Sequence, residues 1–280
     1  MSTDLAGRTI VVTGANTGIG LVTARTLAQR GARVIMANRS EQKTQPILDE
    51  LRAAGAQVDF VALDLGDLAQ TRAAAARVRE LTDKVHVLVN NAGLAGQRGL
   101  TKDGFELTFG VNHVGPFLFT QLLEPLLRAA APSRIVNVAS VAHYKATGID
   151  WDAVRQKTRS TTGVAEYQVS KLANVLHVAE LARRLAGTGV TSYALHPGVV
   201  ASDVWRKVPW PVRPLIKLFM KSVEDGARTS IYCAGAPEIA GDSGRYYDEC
   251  KEKTPSKLAR DPALAAELWR RSAEWVEAGA

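Results

Sequence analysis

The stretch "RTIVVTGANTGIGLVTARTLAQRG", residues 8–31, passes from an apolar, β-branched segment through a glycine-rich turn into a helix-periodic segment. Residues 8–14 read as a strand and 19–31 as a helix. A turn at that junction presents backbone N–H groups and the positive end of the helix to an anion such as a pyrophosphate. Gly14 permits the tight turn, Gly18 the approach of backbone to phosphate, and Gly20 the close packing of helix on strand. The spacing is G-x-x-x-G-x-G, not the commoner G-x-G-x-x-G. Gly14, Asn16, Thr17, Gly18, Ile19 and Gly20 are therefore candidate binding residues.

The alternation continues downstream. "ARVIMAN" (32–38), "QVDFVALDL" (57–65), "KVHVLVNNAG" (84–93), "SRIVNVAS" (133–140) and "VTSYALHPG" (190–198) read as further strands. Between them lie helical stretches: 41–55, one from an Asp67 N-cap to about Thr82, a long region ending near Ala130, and one entered around Tyr167. Buried strands separated by helices of this length predict βαβ units. The expected fold is α/β: a doubly wound parallel sheet of Rossmann type, about seven strands with helices on both faces. No repeat or Gly/Ser/Pro-rich linker interrupts the chain, so residues 1–280 read as a single domain.

Composition bounds the function. The 280 residues are 46% hydrophobic and 22% charged, as in an ordinary globular domain. "MSTDLAGR" has no apolar h-region, and no run approaches the roughly 18 apolar residues of a membrane span. The reading is a cytoplasmic protein. Cys233 and Cys250 are the only cysteines, which fits a reducing compartment and predicts no metal site. The net charge of +7 is scattered, with no five-residue basic block, so nucleic acid is not an expected partner.

Two further signals narrow the chemistry. "GVAEYQVSKLANVLHVAELARRL" (163–185) places Tyr167 and Lys171 four residues apart, on one helical face. The second predicted strand ends in Asn38, then Arg39 and Ser40, where an acidic residue would hold the ribose 2′-hydroxyl of NAD. No carboxylate repels a 2′-phosphate there, and a guanidinium can pair with one, which points to NADP(H).

With the glycine loop, "NNAG" (90–93), Asn112 in "VNHVG" and Ser140 closing "IVNVAS", the chain resembles the short-chain dehydrogenase/reductase superfamily from about Arg8 to Ser202. "VNHVGPFLFTQLL", "PSRIVNVAS", "YQVSKLANVL", "GVTSYALHPG" and "GRYYDEC" are similar to its retinol dehydrogenase-like branch, in a soluble, bacterial-type form. The resemblance implies an NADP(H)-dependent carbonyl reductase or alcohol dehydrogenase. In it, Tyr167 exchanges a proton with the substrate oxygen. Lys171 lowers the tyrosine pKa and holds the nicotinamide ribose, Ser140 fixes the substrate oxygen, and Asn112 supports a proton-relaying water. It implies that Thr13 and Asn90 brace the loop, that Asp64 and Leu65 frame the adenine, and that Asn91, Ala92 and Gly93 line the ribose side. Pro197, Gly198, Val200 and Ser202 close over the nicotinamide.

"DVWRKVPWPVRPLIKLFMK" (203–221) is aromatic, aliphatic and basic, and its prolines forbid one continuous helix. It reads as a substrate lid, implying a small lipophilic carbonyl or alcohol, and it leaves peripheral membrane contact open. Helices around 114–130 and 167–186 are the implied contact of a homodimer. His143 and Tyr144, in a loop after Ser140, are candidates for touching substrate; His113 reads as a packing group. A catalytically silent NADP(H)-binding regulator or a membrane-peripheral binding protein of the same fold is the alternative. The intact tyrosine and lysine speak against the first.

Overall fold

Thr9–Thr13 forms strand β1, and its Ile10, Val11 and Val12 are fully buried, as a strand covered on both faces requires. The computed structural model describes residues 4–198 and 222–278. Helix α1 (Gly18–Gln29) follows, then β2 (Arg33–Asn38), α2 (Glu41–Ala53), β3 (Val58–Ala62), α3 (Leu68–Leu81) and β4 (Val87–Asn90). The second half runs through α4 (Leu107–Phe109), a π-helical segment (Gly110–Val114) and α5 (Gly115–Ala129), then β5 (Ser133–Val138), α6 (Val164–Arg184) and β6 (Val190–His196). After residue 222 come α7 (Val223–Gly235), β7 (Arg245–Asp248), β8 (Lys251–Glu252) and α8 (Pro262–Glu277).

The strands make one sheet in the order β3-β2-β1-β4-β5-β6-β7-β8, parallel except for the antiparallel β7–β8 pair. Val11 of β1 lies opposite Ile35 of β2 on one side and Leu88 of β4 on the other. Alternate side chains build two core layers. Ile10, Val12, Val34 and Met36 pack with Leu27 of α1 and Leu48 of α2. Val11, Ile35, Leu88 and Ile135 pack with Leu123 and Leu127 of α5 and Leu181 of α6. The strand order reverses between β1 and β4, and the crevice at the carboxyl ends of such strands is where open α/β sheets hold ligands.

Among the described residues the sheet has eight strands, one more than about seven, because a two-residue edge strand follows β7. The connecting turn holds Glu249 and Cys250 at φ 52° and 59°, the left-handed pair that a tight two-residue hairpin needs. Two strands are shorter than the hydrophobic pattern suggests. β3 ends before Asp64, and β4 ends at Asn90, so Asn91–Gly93 leave the sheet to form a loop. Among the described residues no helix is long and apolar enough to cross a membrane.

Helix α6, nominated above with α5 for a subunit contact, packs against α8 of the same chain, and α8 also reaches α5 at Phe117. Asp261 caps α8 by accepting from the N–H groups of Ala263 and Leu264, with Pro262 at the first position. Trp269 meets Phe117 edge-on at 5.1 Å between centroids, and Arg184 stacks over Trp269 at 4.4 Å. Leu268, 1% exposed, is buried with Phe117, Leu172 and Leu176. Truncating such a leucine removes buried apolar area and leaves a cavity. Leu268→Ala should lower the unfolding free energy by about 3 kcal/mol. Denaturant unfolding followed by circular dichroism measures this, and a loss under about 1 kcal/mol would mean that α8 contributes little to the core.

Candidate active site

The crevice is built first by the loop after β1. Thr17 takes an extended conformation as N-cap of α1, and its side chain makes no cap hydrogen bond to the first turn of the helix. Gly18 has φ 55°, and a Cβ there would meet nothing within 4 Å, which leaves open space over the helix end. A Cβ on Gly20 would stand 2.2 Å from the Gly14 carbonyl oxygen and 2.3 Å from Asn91 Nδ2, so only glycine fits. Amides at a helix end below open space are what a pyrophosphate requires.

Three side chains hold this loop. Asn38 Oδ1 accepts from the N–H of Ala15 at 2.6 Å, while its Nδ2 donates to Thr44 Oγ1 at 3.3 Å. Asn91 Nδ2 donates to the carbonyls of Thr13 at 2.9 Å and Gly14 at 3.2 Å. Thr13 Oγ1 accepts from the N–H groups of Asn91 at 3.0 Å and Ala92 at 2.9 Å. Asn90, expected to brace the loop beside Thr13, points elsewhere. It is buried and donates to Thr120 Oγ1 at 3.0 Å and Asn137 Oδ1 at 2.8 Å. Its neighbour Asn91 does the bracing.

Arg39 is exposed just after the end of β2, with no hydrogen bond or ion pair among the described residues. Ser40 caps α2 by accepting from Lys43 N at 3.3 Å. Asp64 Oδ1 accepts from the N–H of Gly66 at 2.9 Å, and Leu65 is buried. At the other end Pro197 and Gly198, with His196, line a cleft of about 370 Å³ shared with Asp225, Thr229 and Asp248. Val200, Ser202 and the lid segment at 203–221 lie outside the described residues.

Asn112 sits in the π-helical segment, a device that often marks functional sites. Its Oδ1 accepts from the N–H of Leu94 at 2.9 Å, and its Nδ2 donates to the Leu94 carbonyl and to Ser170 Oγ, both at 3.0 Å. Its side chain is thus fully engaged in holding the "NNAG" loop. The residue four positions on, which would supply the α-helical donor for its carbonyl, is Pro116, and proline has no N–H. A Cβ on Gly93 would lie 3.1 Å from Asn112 Oδ1 and 3.7 Å from Lys171 Nζ, so the loop closes directly over both.

The Ser140 hydroxyl stands close enough to the Tyr167 hydroxyl to lower the tyrosine's pKa. Ser140 Oγ also accepts from the N–H of Ala142 at 3.1 Å, which fixes its rotamer. Lys171 Nζ donates to the Val138 carbonyl at 2.7 Å and stands 5.5 Å from the centre of the Tyr167 ring. Burial pushes the Lys171 ammonium down from 10.5 to about 8. For Tyr167 the expectation of a lysine-lowered pKa is corrected: burial raises it from its ordinary value, and the nearby Ser140 hydroxyl works against the rise.

Residues that motif reading passed over complete the set. Ser170 supports Asn112, although nothing but its position one before Lys171 marks it in the sequence. His143, considered a substrate contact, is fully buried, with both ring nitrogens bonded. Tyr144 is exposed and donates to the Thr254 carbonyl at 2.6 Å. His113 is buried and pairs with Ser272 Oγ at 2.9 Å, in keeping with a packing role.

The buried ammonium has a consequence for stability. Between about pH 8 and 10.5 the folded state holds fewer protons on Lys171 than the unfolded chain does, so its contribution rises with pH across that window. Below it the folded state carries the full penalty, about 3 kcal/mol for the shift from 10.5 to about 8. Lys171→Met should therefore melt higher than the parent at pH 7 without nucleotide, since Asn174 Nδ2 still reaches the Val138 carbonyl at 3.4 Å. The gap should close towards pH 10.5. Thermal unfolding at the two pH values checks both parts, and a lower melting point at pH 7 contradicts the assigned penalty.

Comparison with known proteins agrees with this geometry. The family model described as short chain dehydrogenase matches residues 8–152. Retinol dehydrogenase 13 of Homo sapiens is 43% identical over 283 residues, covering 97% of this chain and 85% of the relative. Among solved structures, an uncharacterized protein from Mycobacterium paratuberculosis superposes with a TM-score of 0.79 at 33% identity, covering 99% of this chain and 97% of that one. The RhlG/NADP active-site complex of Pseudomonas aeruginosa gives 0.70 at 28% identity, covering 89% and 97%. The chain belongs to the short-chain dehydrogenase family, in its retinol dehydrogenase-like branch, and is an oxidoreductase that uses a nicotinamide dinucleotide on alcohols and carbonyls.

Proposed function

We propose that the protein is an NADP(H)-dependent reductase of small lipophilic carbonyls, able to run in reverse on the alcohols. The observation that carries this reading is the grouping of Ser140, Tyr167 and buried Lys171 at the carboxyl edge of the sheet, with Lys171 Nζ 5.5 Å from the Tyr167 ring centre and bonded to the Val138 carbonyl. The N–H groups opening α1, around Asn16, Thr17, Gly18, Ile19 and Gly20, hold the pyrophosphate. Arg39, with no partner of its own among the described residues, pairs with the 2′-phosphate, and Asp64 and Leu65 frame the adenine. Ala92, Gly93, Pro197 and Gly198 line the nicotinamide half. When bound, the nicotinamide supplies or takes up the hydride.

The chain's own residues handle the proton. Ser140 Oγ, its rotamer fixed by Ala142, donates to the carbonyl oxygen and sets it against the Tyr167 hydroxyl. Tyr167, kept protonated by burial, gives that oxygen its proton as the carbonyl carbon is reduced. The Asn112 carbonyl, denied its α-helical donor by Pro116, holds a water through which Lys171 returns a proton to Tyr167. The name of the human relative concerns a lipophilic alcohol, and the aromatic and aliphatic sequence of 203–221 suits the same class.

Tyr167→Phe should cut turnover by about 10²–10⁴ while NADPH binding, followed by fluorescence, stays within about twofold. More than about a tenth of the parent rate would exclude the acid role. Cofactor choice is a separate test. NADPH should bind more tightly than NADH, and Arg39→Ala should remove most of that preference. Equal affinities in the unmodified protein sink the NADP(H) assignment while leaving the oxidoreductase intact.

A further inference from the structure

The turn that follows Ser140 is tied to a distant part of the chain through one imidazole. Val141–Lys145 forms a 3₁₀ helix with Ser140 as its N-cap. His143 Nδ1 lies 2.7 Å from the Ser140 carbonyl, and the N–H of Ser256 reaches His143 Nε2 at 3.1 Å. A carbonyl can only accept and a backbone N–H can only donate, so the ring is neutral with its proton on Nδ1. Burial lowers the pKa of His143, in the same direction. The ring lies between Tyr144, at 4.0 Å between centroids, and Tyr246, at 4.8 Å.

Ser140 is thus gripped at two atoms: its Oγ by the N–H of Ala142 and its carbonyl by His143. The other end of the clamp is the strap that leads from β8 to α8. Besides Ser256, it is fixed by the N–H of Lys253 on the Tyr246 carbonyl at 2.8 Å and by Tyr144 on the Thr254 carbonyl at 2.6 Å. Ser256 Oγ then accepts from the N–H of Ala259 at 3.2 Å, in the turn that enters α8. Neither nitrogen of His143 is free for substrate, and its exposure is 0%.

We propose that His143 is a positioning residue for the reaction: its Nδ1–H fixes the Ser140 backbone, and its Nε2 fastens the C-terminal strap onto the catalytic turn. This rests on the role given above to Ser140. Small displacements of an orienting group can lower turnover by about 10²-fold without touching affinity for groups bound elsewhere.

Three replacements separate the two functions. Asn places an amide N–H near the position of Nδ1, Gln places an amide oxygen near that of Nε2, and Phe supplies neither. His143→Phe should lower kcat at least about tenfold and raise KM for the carbonyl, with the NADPH dissociation constant within about twofold. His143→Asn should recover kcat to within about threefold of the parent. His143→Gln should restore slow hydrogen exchange in the 251–258 peptide but leave kcat near that of the Phe variant. If the Phe variant does not fold, the Asn–Gln contrast decides alone. The proposal is overturned if His143→Phe keeps the parent kcat while Ser140→Ala is inactive, or if Gln rescues turnover as well as Asn. Parent-level turnover in Ser140→Ala would instead remove the reading of Ser140 itself.

Discussion

Two hydrogen bonds from the Asn91 amide to the carbonyls of Thr13 and Gly14 join the ends of β1 and β4. The arrangement of the crevice depends on that junction. Carbonyls leaving a strand end have lost their ladder partners, and an unpaired buried carbonyl is costly. Asn91 satisfies two of them and draws its own loop against the phosphate turn. Asn112 then holds the far side of that loop through Leu94, and Gly93 brings it over Lys171. The turn proposed for the nucleotide and the residues proposed for proton transfer are therefore parts of one hydrogen-bonded frame.

The frame holds groups that destabilise the fold where they stand. Lys171 is buried with one carbonyl as its described hydrogen-bond partner, and burial depresses its pKa to about 8. Tyr167 is pushed the opposite way, towards its neutral form. Both shifts come from desolvation and both favour the neutral form, although at pH 7 Lys171 is still mostly an ammonium. A phenol that holds its proton and an amine that titrates closer to neutral pH make a pair that can pass a proton with little charge separation.

The β1–loop–α1 unit was legible because its signals are local: β-branched residues, glycines at turn positions and a helical period all agree. Tyr167, Lys171, Ser140 and Asn112 were legible as candidates because a family resemblance ordered them. Other features depend on tertiary contacts. Asn90 and Asn91 are chemically identical neighbours, and their roles divide only because β4 ends between them, sending one side chain under the sheet and the other over the turn. The direction of the Tyr167 shift depends on how much solvent reaches the ring, which spacing along a helix does not encode. The His143 clamp joins residues that only folding brings together. The last strand is two residues long, too short for any periodicity to register.

The π-helical segment 110–114 has a geometric consequence for the length of the chain. One extra residue in a helical turn advances the side-chain direction by about 100°. Everything from Pro116 onward is rotated by that angle relative to what precedes it. This offset lets Asn112 face Leu94 and Ser170 while Phe117, Phe119 and Leu123 remain buried in the core. Removing a single residue here would repair the helix and misdirect one half of it. Loops on the surface can lengthen or shorten, whereas this buried stretch is fixed in its count. A Cβ at Gly110 would stand 2.3 Å from the Thr101 side chain, and one at Gly115 2.4 Å from the Leu65 carbonyl oxygen.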